Sequence, residues 1–175
     1  MNKEEIVQML ENKHQELFNL LSTDLENSWE SGPENKWTVG QHVLHLLDSA
    51  KMLNKALSYP KFIIKYKFGV ANRATRDYQT VAKRYQDRLK ENQERARDFN
   101  KDLRVPTIQE KENSILELKK QLSKLQKTTL RWKDKRLDTL LLPHPLMGRM
   151  IVREVIMWTG YHTEHHVNIL KEQYS

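Results

Sequence analysis

Two histidines, His162 and His166, lie four residues apart in the last apolar stretch of the sequence, residues 150–170. On an α-helix, residues four apart lie one turn above the other on the same face. The apolar residues of this stretch recur mostly at steps of three and four and share that face. We therefore expect both imidazole rings to point into a core, where each ring needs partners for its donor and acceptor nitrogens. A divalent metal would satisfy both rings, and a pair of core histidines with ordinary protein partners is the alternative.

Other histidines could supply a further ligand. A Thr-x-x-Gln capping box at Thr38 predicts a second helix that runs to about Ser58. His42 and His45 both lie on that helix within reach of a bundle interior, and spacing alone does not choose between them. His14 lies on the apolar stripe of the first predicted helix, so we interpret it as a packed or boundary histidine.

The composition indicates an all-α fold and a single domain that spans residues 1–175. A chain of 175 residues has the size of one domain with one substantial core. It has only five glycines and five prolines, and apolar residues recur at helical spacing over most of its length. The absence of cysteine excludes disulfides, thiolate metal sites and a cysteine nucleophile. Any metal must therefore be held by histidine, carboxylate or backbone oxygen.

The net charge of +7 is distributed unevenly along the chain. Residues 1–60 carry −4, residues 61–104 carry +7 and residues 105–175 carry +4. The basic middle segment has no repeated aromatic platform and no recognised nucleic-acid motif, so we expect no nucleic-acid partner. We interpret it as a solvated basic face, with a groove for an anionic substrate as the alternative. The charged N-terminal stretch resembles neither a signal peptide nor a membrane span, which favours a cytoplasmic protein without a membrane partner.

Four long amphipathic segments predict a four-helix bundle. The first is predicted over residues 3–25, and the second starts at the Thr38 capping box. A second capping box, at Thr107, predicts a third helix that extends to about residue 133. The fourth is the apolar stretch 150–170.

The connections between these helices differ in character. Residues 59–72 are predicted to be a loop that packs over one end of the bundle, because they are too apolar for a free linker. Residues 78–89 predict a short, partly exposed helix, and residues 91–105 a solvated helix tail and linker. Residues 138–148 are predicted to be a loop, because two prolines prevent a helix there.

Two motifs lie at the start of the second predicted helix and around the last apolar stretch. The segment Trp-Thr-Val-Gly-Gln-His-Val-Leu-His-Leu-Leu-Asp-Ser, residues 37–49, resembles the second-helix signature of the DinB-like superfamily. His-Pro-Leu-Met-Gly at residues 144–148, followed by Tyr-His-Thr-Glu-His-His at residues 161–166, resembles its His-Pro-x-x-Gly loop and His-x-x-x-His helix. The resemblance spans most of the chain, and the YfiT-like metal-dependent hydrolases are the most similar group. It implies an up-down-down-up bundle, with an elaborated crossover between the second and third helices.

The resemblance also implies a site and a chemistry. Matched by motif, the metal ligands are His45, His162 and His166. Three imidazoles suit zinc or nickel, and also iron or cobalt, and leave at least one coordination position for water or substrate. The expected function is a metal-dependent hydrolase that activates water. A metal-dependent thiol S-transferase of the same superfamily and a non-catalytic binding bundle are the alternatives. Relatives imply a homodimer, and the expected substrate is a small molecule of unknown class.

Two carboxylates are candidates for a catalytic role. Asp48 follows His45 by about one helical turn and could orient a ligand or accept a proton. Glu154 precedes His162 by two turns, displaced to the side of the stripe, and could support a ligand or pair with a cation on the third helix.

The remaining histidines near these motifs have less specific roles. His42 is expected to lie beside the ligands, and His144 to border the pocket. Glu164 and His165 are interpreted as surface or interface residues.

Overall fold

The amphipathic segments fold as helices in the computed structural model, which describes residues 1–23 and 25–174. In chain order the elements are α1 (Lys3–Leu21), α2 (Val39–Ser58), α3 (Lys61–Phe68), α4 (Tyr78–Glu91), α5 (Gln93–Asn100), α6 (Lys111–Arg131), α7 (Asp134–Thr139), β1 (Leu141–His144), β2 (Gly148–Ile151) and α8 (Val152–Tyr174). The four long helices, α1, α2, α6 and α8, form the bundle, and the only sheet among the described residues is the hairpin of β1 and β2. The all-α prediction is therefore confirmed.

Contacts between the long helices establish their directions. Helices α1 and α8 are parallel, α2 and α8 are antiparallel, and α2 and α6 are parallel. The contacts that define these directions are Met1–Arg153 and Glu16–Lys171, then His42–His166 and His45–His162, then Asn54–Gln121 together with Lys61, just after α2, against Trp132, just after α6. The bundle is thus up-down-down-up, as the resemblance implied.

The core lies between the four helices in two apolar clusters. One cluster, which includes Leu53, Leu125 and Ile156, fills the end of the bundle near the hairpin. The other, which includes Leu17 and Val43, fills the opposite end. No helix in the described ranges is both long and apolar enough to cross a lipid bilayer.

The helix boundaries follow local hydrogen bonding. The capping box at Thr38 is present, with the Gln41 amide donating to Thr38 Oγ1 at 3.1 Å, and α2 has the predicted extent. The prediction that the first helix extends to residue 25 was wrong, because α1 ends at Leu21. The hydroxyls of Ser22 and Thr23 donate back to carbonyls of the last turn and favour its closure there. Residue 24 of that predicted helix lies outside the described residues.

The third long helix also ends earlier than expected. The Thr107 capping box is present, but it precedes a 3₁₀ turn, Ile108–Glu110, and α6 follows that turn. Helix α6 ends at Arg131 because the backbone of Trp132 is extended.

The crossover between α2 and α6 contains more helix than predicted. Residues 59–72 were expected to be a loop, but they contain α3, with Pro60 at its N-cap. A proline there ends one helix and can precede the next, since its missing N–H is not needed in a first turn. Ile64, 1% exposed, anchors α3 to the core. Helix α4 confirms the predicted exposed helix, while α5 replaces part of the expected linker.

Residues 138–148, predicted to be a loop, form the end of α7 and most of the hairpin. Its strands pair antiparallel, from Leu141 opposite Ile151 to His144 opposite Gly148. Gly148 has a φ of 70°, a conformation that favours glycine. The prolines do prevent a helix here, but a two-stranded ribbon tolerates them at its edges. The apolar stretch that begins at residue 150 therefore starts with two strand residues before α8.

A buried ion pair connects the segment before α4, in the crossover between α2 and α6, to Glu154 in the first turn of α8. Glu154 is 1% exposed, and its oxygens accept hydrogen bonds from Arg73 Nη1 and Nη2 at 2.5 and 2.7 Å and from the Arg76 amide at 2.8 Å. Burial raises the pKa of the Glu154 carboxyl, but these hydrogen bonds outweigh burial and hold the pKa below its ordinary value. The cations come from the segment before α4, not from the third bundle helix.

Replacing Glu154 with glutamine should lower the free energy of unfolding by about 2 kcal/mol, because the substitution leaves Arg73 and Arg76 without their counterion. Urea unfolding measures the change. Asp87→Asn, which disrupts an exposed pair with Lys83 at 3.4 Å, is the control and should cost less than about 0.5 kcal/mol. Equal small effects in both variants would contradict a fastening role.

Candidate metal centre

Three histidine rings from two helices meet in the interior of the bundle. Helix α2 contributes His45, and α8 contributes His162 and His166 one turn apart. The Nε2 atoms of His45 and His162 are 3.0 Å apart, and those of His162 and His166 are 3.1 Å apart. One ligand nitrogen from each ring lies within 4.8 Å of the others. Nitrogens bound tetrahedrally at about 2.0–2.1 Å from one zinc ion are roughly 3.3 Å apart, so this group could hold a metal ion.

The hydrogen-bonding capacity of these rings fits a shared cation. Each neutral imidazole has one N–H and one lone pair. His162 Nε2 is close to two other ring nitrogens, but it can donate to or accept from only one of them. Its Nδ1 is buried and has no hydrogen-bond partner in the described part of the chain. A cation between the rings would accept all three Nε2 lone pairs at once.

The environment keeps the three rings unprotonated. Burial lowers the pKa of His45 to about 4, although a hydrogen bond with the Asn100 side chain opposes this effect. Burial lowers the pKa values of His162 and His166 well below 6.5, and the neighbouring histidines lower them further. Metal ligation requires neutral imidazole, so the rings already have the required protonation state at neutral pH.

His42 and His45 have different positions relative to the pair on α8. His42 is 3% exposed, and its Nδ1 lies 2.8 Å from His166 Nδ1, on the side of that ring away from the three Nε2 atoms. With a metal on Nε2, His166 Nδ1 would carry the hydrogen and donate it to His42. Such a contact fixes the tautomer and orientation of a ligand. His42 is therefore placed as a partner of one ring in the group, while His45 is a member of it.

Aromatic side chains enclose the histidine group. Trp158 stacks on His162 with ring centroids 4.5 Å apart, and Trp37 is parallel to His166 at 6.0 Å. Tyr85, from α4, approaches His162 edge-on at 6.1 Å. These rings restrict the histidines to few orientations and keep the local dielectric low.

Sequence reasoning missed two of these neighbours, Asn100 and Tyr85. Tyr85 lies on the apolar stripe of α4 and could have been assigned to the interior, although not to this site. Asn100 gave no signal, because it ends a polar helix that was expected to be a linker.

Neither candidate catalytic carboxylate belongs to the histidine group. Asp48 is exposed on α2. Glu154 is buried, and both of its oxygens are bound by Arg73 and Arg76. Because its hydrogen bonds hold the segment before α4 against α8, Glu154 has a structural role.

The other histidines have protein partners. Nδ1 of His144 accepts hydrogen bonds from the Leu146 and Met147 amides at 3.1 Å in the hairpin turn, and its ring contacts Trp158 edge-on. It therefore orders the turn and contacts the aromatic neighbour of His162.

His14 and the residues that flank the pair on α8 lie outside the group. His14 contacts Leu10 O at 2.8 Å and Thr163 Oγ1 at 3.3 Å, as expected for a packed histidine. Glu164 accepts hydrogen bonds from Lys13 and from the Tyr78 hydroxyl, and His165 is half-buried against Tyr85.

Metal-free protein should become less stable as the pH falls from about 6.5 to about 4. The unfolded chain binds protons near pH 6.5, whereas the folded His45 resists protonation until about pH 4, so protons favour the unfolded state in this window. Each such group contributes about 1.4 kcal/mol per unit of pKa difference. Urea unfolding at about pH 7.5 and about pH 5 measures the loss, which should be smaller for His45→Gln. Unchanged stability over this range would contradict the pKa shifts.

A family of known proteins matches most of this chain. The family model of the DinB superfamily matches residues 6–170. No curated protein and no solved structure matches the chain significantly. The family match covers nearly the whole chain, including all three histidines of the group. The chain is a member of the DinB superfamily.

Proposed function

We propose that this protein is a metal-dependent hydrolase in which His45, His162 and His166 hold a divalent cation, with zinc or nickel the expected ion. The observation that carries the proposal is the convergence of three Nε2 atoms at 3.0 and 3.1 Å, on the buried rings of His162 and His166 and the half-buried ring of His45. The expected substrate is a small molecule that reaches this group.

The number of ligands favours a catalytic site over a structural one. Structural zinc sites are usually closed by four protein ligands, whereas catalytic sites use three and keep a position for water or substrate. A divalent ion bound here would lower the pKa of a water at that position to about 7 and supply a nucleophile at neutral pH.

The protein groups around the site would hold the ligands in place. His42 Nδ1 lies 2.8 Å from His166 Nδ1 and would accept its hydrogen when Nε2 of His166 holds the metal. The side chain of Asn100 raises the pKa of His45. Trp158 and Trp37 stack on the rings of the α8 pair and limit water on those sides. Asp48 is an exposed carboxylate about one helical turn after His45, and we propose it as a proton acceptor.

Thiol transfer is the second candidate, and it is favoured because no carboxylate among the described residues belongs to the histidine group. Hydrolysis benefits from a proton acceptor near the attacking water, and the buried carboxylate Glu154 is already bound by Arg73. A thiol also loses a proton when it binds the metal, but its ordinary pKa of about 8.5 lets solvent accept that proton more readily than the proton of water, so transfer of a thiol depends less on such an acceptor.

Replacing His45, His162 or His166 with alanine should abolish stoichiometric metal binding. Elemental analysis of untagged protein measures it, and His165→Asn, which changes a half-buried neighbour on α8, should retain the metal. Retention of a full equivalent by any of the three variants would remove that residue from the site.

A panel of esters, amides and thiol adducts then separates hydrolysis from thiol transfer, and inactivity towards all of them would favour a binding role.

Replacing His42 with leucine should weaken metal binding by about tenfold to a hundredfold without changing the stoichiometry at saturation, because His166 loses its hydrogen-bond acceptor. Competition with a chelating dye measures the affinity. His42→Asn places an amide oxygen near the position of Nδ1 and should restore much of the affinity. Equal losses in both variants would indicate that His42 acts only through packing.

A further inference from the structure

A basic cleft lies away from the histidine group. It has a volume of about 660 Å³ and opens between the C-terminal ends of α2 and α6, the start of α3 and the segment of α7. From His45 to Leu57, which lines the cleft, the distance along α2 is about 18 Å on ideal helix geometry. The cleft is therefore not part of the proposed metal centre.

The lining of the cleft is strongly positive. Five cations contribute to it, and no carboxylate of the described residues does; these cations are Lys61, Lys124, Arg131, Lys133 and Arg136. None of the five forms an ion pair with another residue in ranges 1–23 and 25–174. Asp134, which follows Lys133 in the chain, is already bound by Arg153 at 2.7 Å and lies 3.8 Å from Lys3. Concave clusters of one charge raise the local concentration of ions of the opposite charge.

Helix termini account for only part of this cluster. Cations near a helix C-terminus are favourable, since the last carbonyls carry partial negative charge. Lys61 follows this pattern, because it donates to Leu57 O at 3.2 Å and lies 3.8 Å above the Trp132 ring. Arg136 follows the pattern too, in the last turn of α7. Lys124 is in the interior of α6 and Lys133 precedes α7, so neither lies at a helix C-terminus.

The floor of the cleft has an unsatisfied polar atom. Asn54 is 2% exposed, and its amide nitrogen donates to two oxygens of Gln121, which fixes the orientation of its side chain. Its Oδ1 lacks a hydrogen-bond partner among the described residues. A ligand with both anionic groups and a hydroxyl donor would match the cations and this acceptor.

We propose that this cleft binds a multiply charged, phosphate-bearing ligand. The planar guanidinium groups of Arg131 and Arg136 suit bidentate recognition of phosphate, and Lys61 supplies a point charge at the cleft wall. The phosphate can belong to a free small molecule or to a lipid headgroup. Two exposed aromatics on α3, Phe62 at 73% and Tyr66 at 90%, follow Lys61 and would contact a lipid surface in the second case.

Titration calorimetry of the full chain with inorganic tripolyphosphate tests the proposal. Wild type should bind, and Arg131→Glu combined with Arg136→Glu should weaken binding at least tenfold. The matched control reverses two exposed arginines on α5, Arg95→Glu with Arg97→Glu, and should change affinity less than threefold.

Two further variants separate site binding from other effects. If the charge reversals at Arg131 and Arg136 impair folding, the glutamine substitutions at the same positions replace them. His162→Ala should bind tripolyphosphate normally, because the proposed metal centre does not contribute. The proposal fails if wild type does not bind, or if the cleft and control variants are weakened equally.

Vesicles containing phosphatidylglycerol identify the source of the phosphate. A lipid headgroup ligand predicts that wild type sediments with these vesicles and that Phe62→Ser with Tyr66→Ser abolishes sedimentation but retains tripolyphosphate binding. A soluble ligand predicts tripolyphosphate binding without sedimentation. Sedimentation that survives charge reversal at Arg131 and Arg136 would place membrane binding elsewhere and contradict the assignment of the cleft.

Discussion

The structure depends on the burial of uncharged imidazole rings between α2 and α8. Burial lowers the pKa of each ring, and the rings lower one another's further because a second positive charge nearby is unfavourable. An uncharged imidazole still has a lone pair that needs a partner, and here three Nε2 atoms that can each present a lone pair lie close together. Burial makes a proton on any one ring unfavourable. A metal ion is bound by several ring lone pairs at once, and these bonds offset the cost of placing its charge in the interior.

Much of the fold could be predicted from the sequence, because its signals are local. The capping boxes at Thr38 and Thr107 and the apolar spacing of the long helices depend on residues within a few positions of one another. The errors fall where the chain reverses direction. Residues 59–72 were predicted to be a loop, although Pro60 is compatible with the start of a helix such as α3. The hairpin that contains His144 depends on pairing between strands rather than on periodicity.

The site was predictable only in part, for a related reason. The spacing of His162 and His166 indicates a shared face, but it does not show which ring on α2 faces them, and the choice of His45 came from the resemblance to a family. The structure distinguishes the two rings on α2. His42 lies against Nδ1 of His166, whereas His45 lies against Nε2 of His162. The contact of Asn100 with His45 joins distant segments through a polar helix, and no local pattern indicates such a contact.

The separation of the histidines along the chain has a consequence for folding. His45 and His162 are 117 residues apart in sequence, so an ion held by both would act as a cross-link that closes most of the polypeptide into a loop. Closing so long a loop reduces the conformational entropy of the unfolded chain by the equivalent of about 5 kcal/mol at 25 °C, as a disulfide does in other proteins. In a chain without cysteine, capture of the ion would couple folding to metal supply.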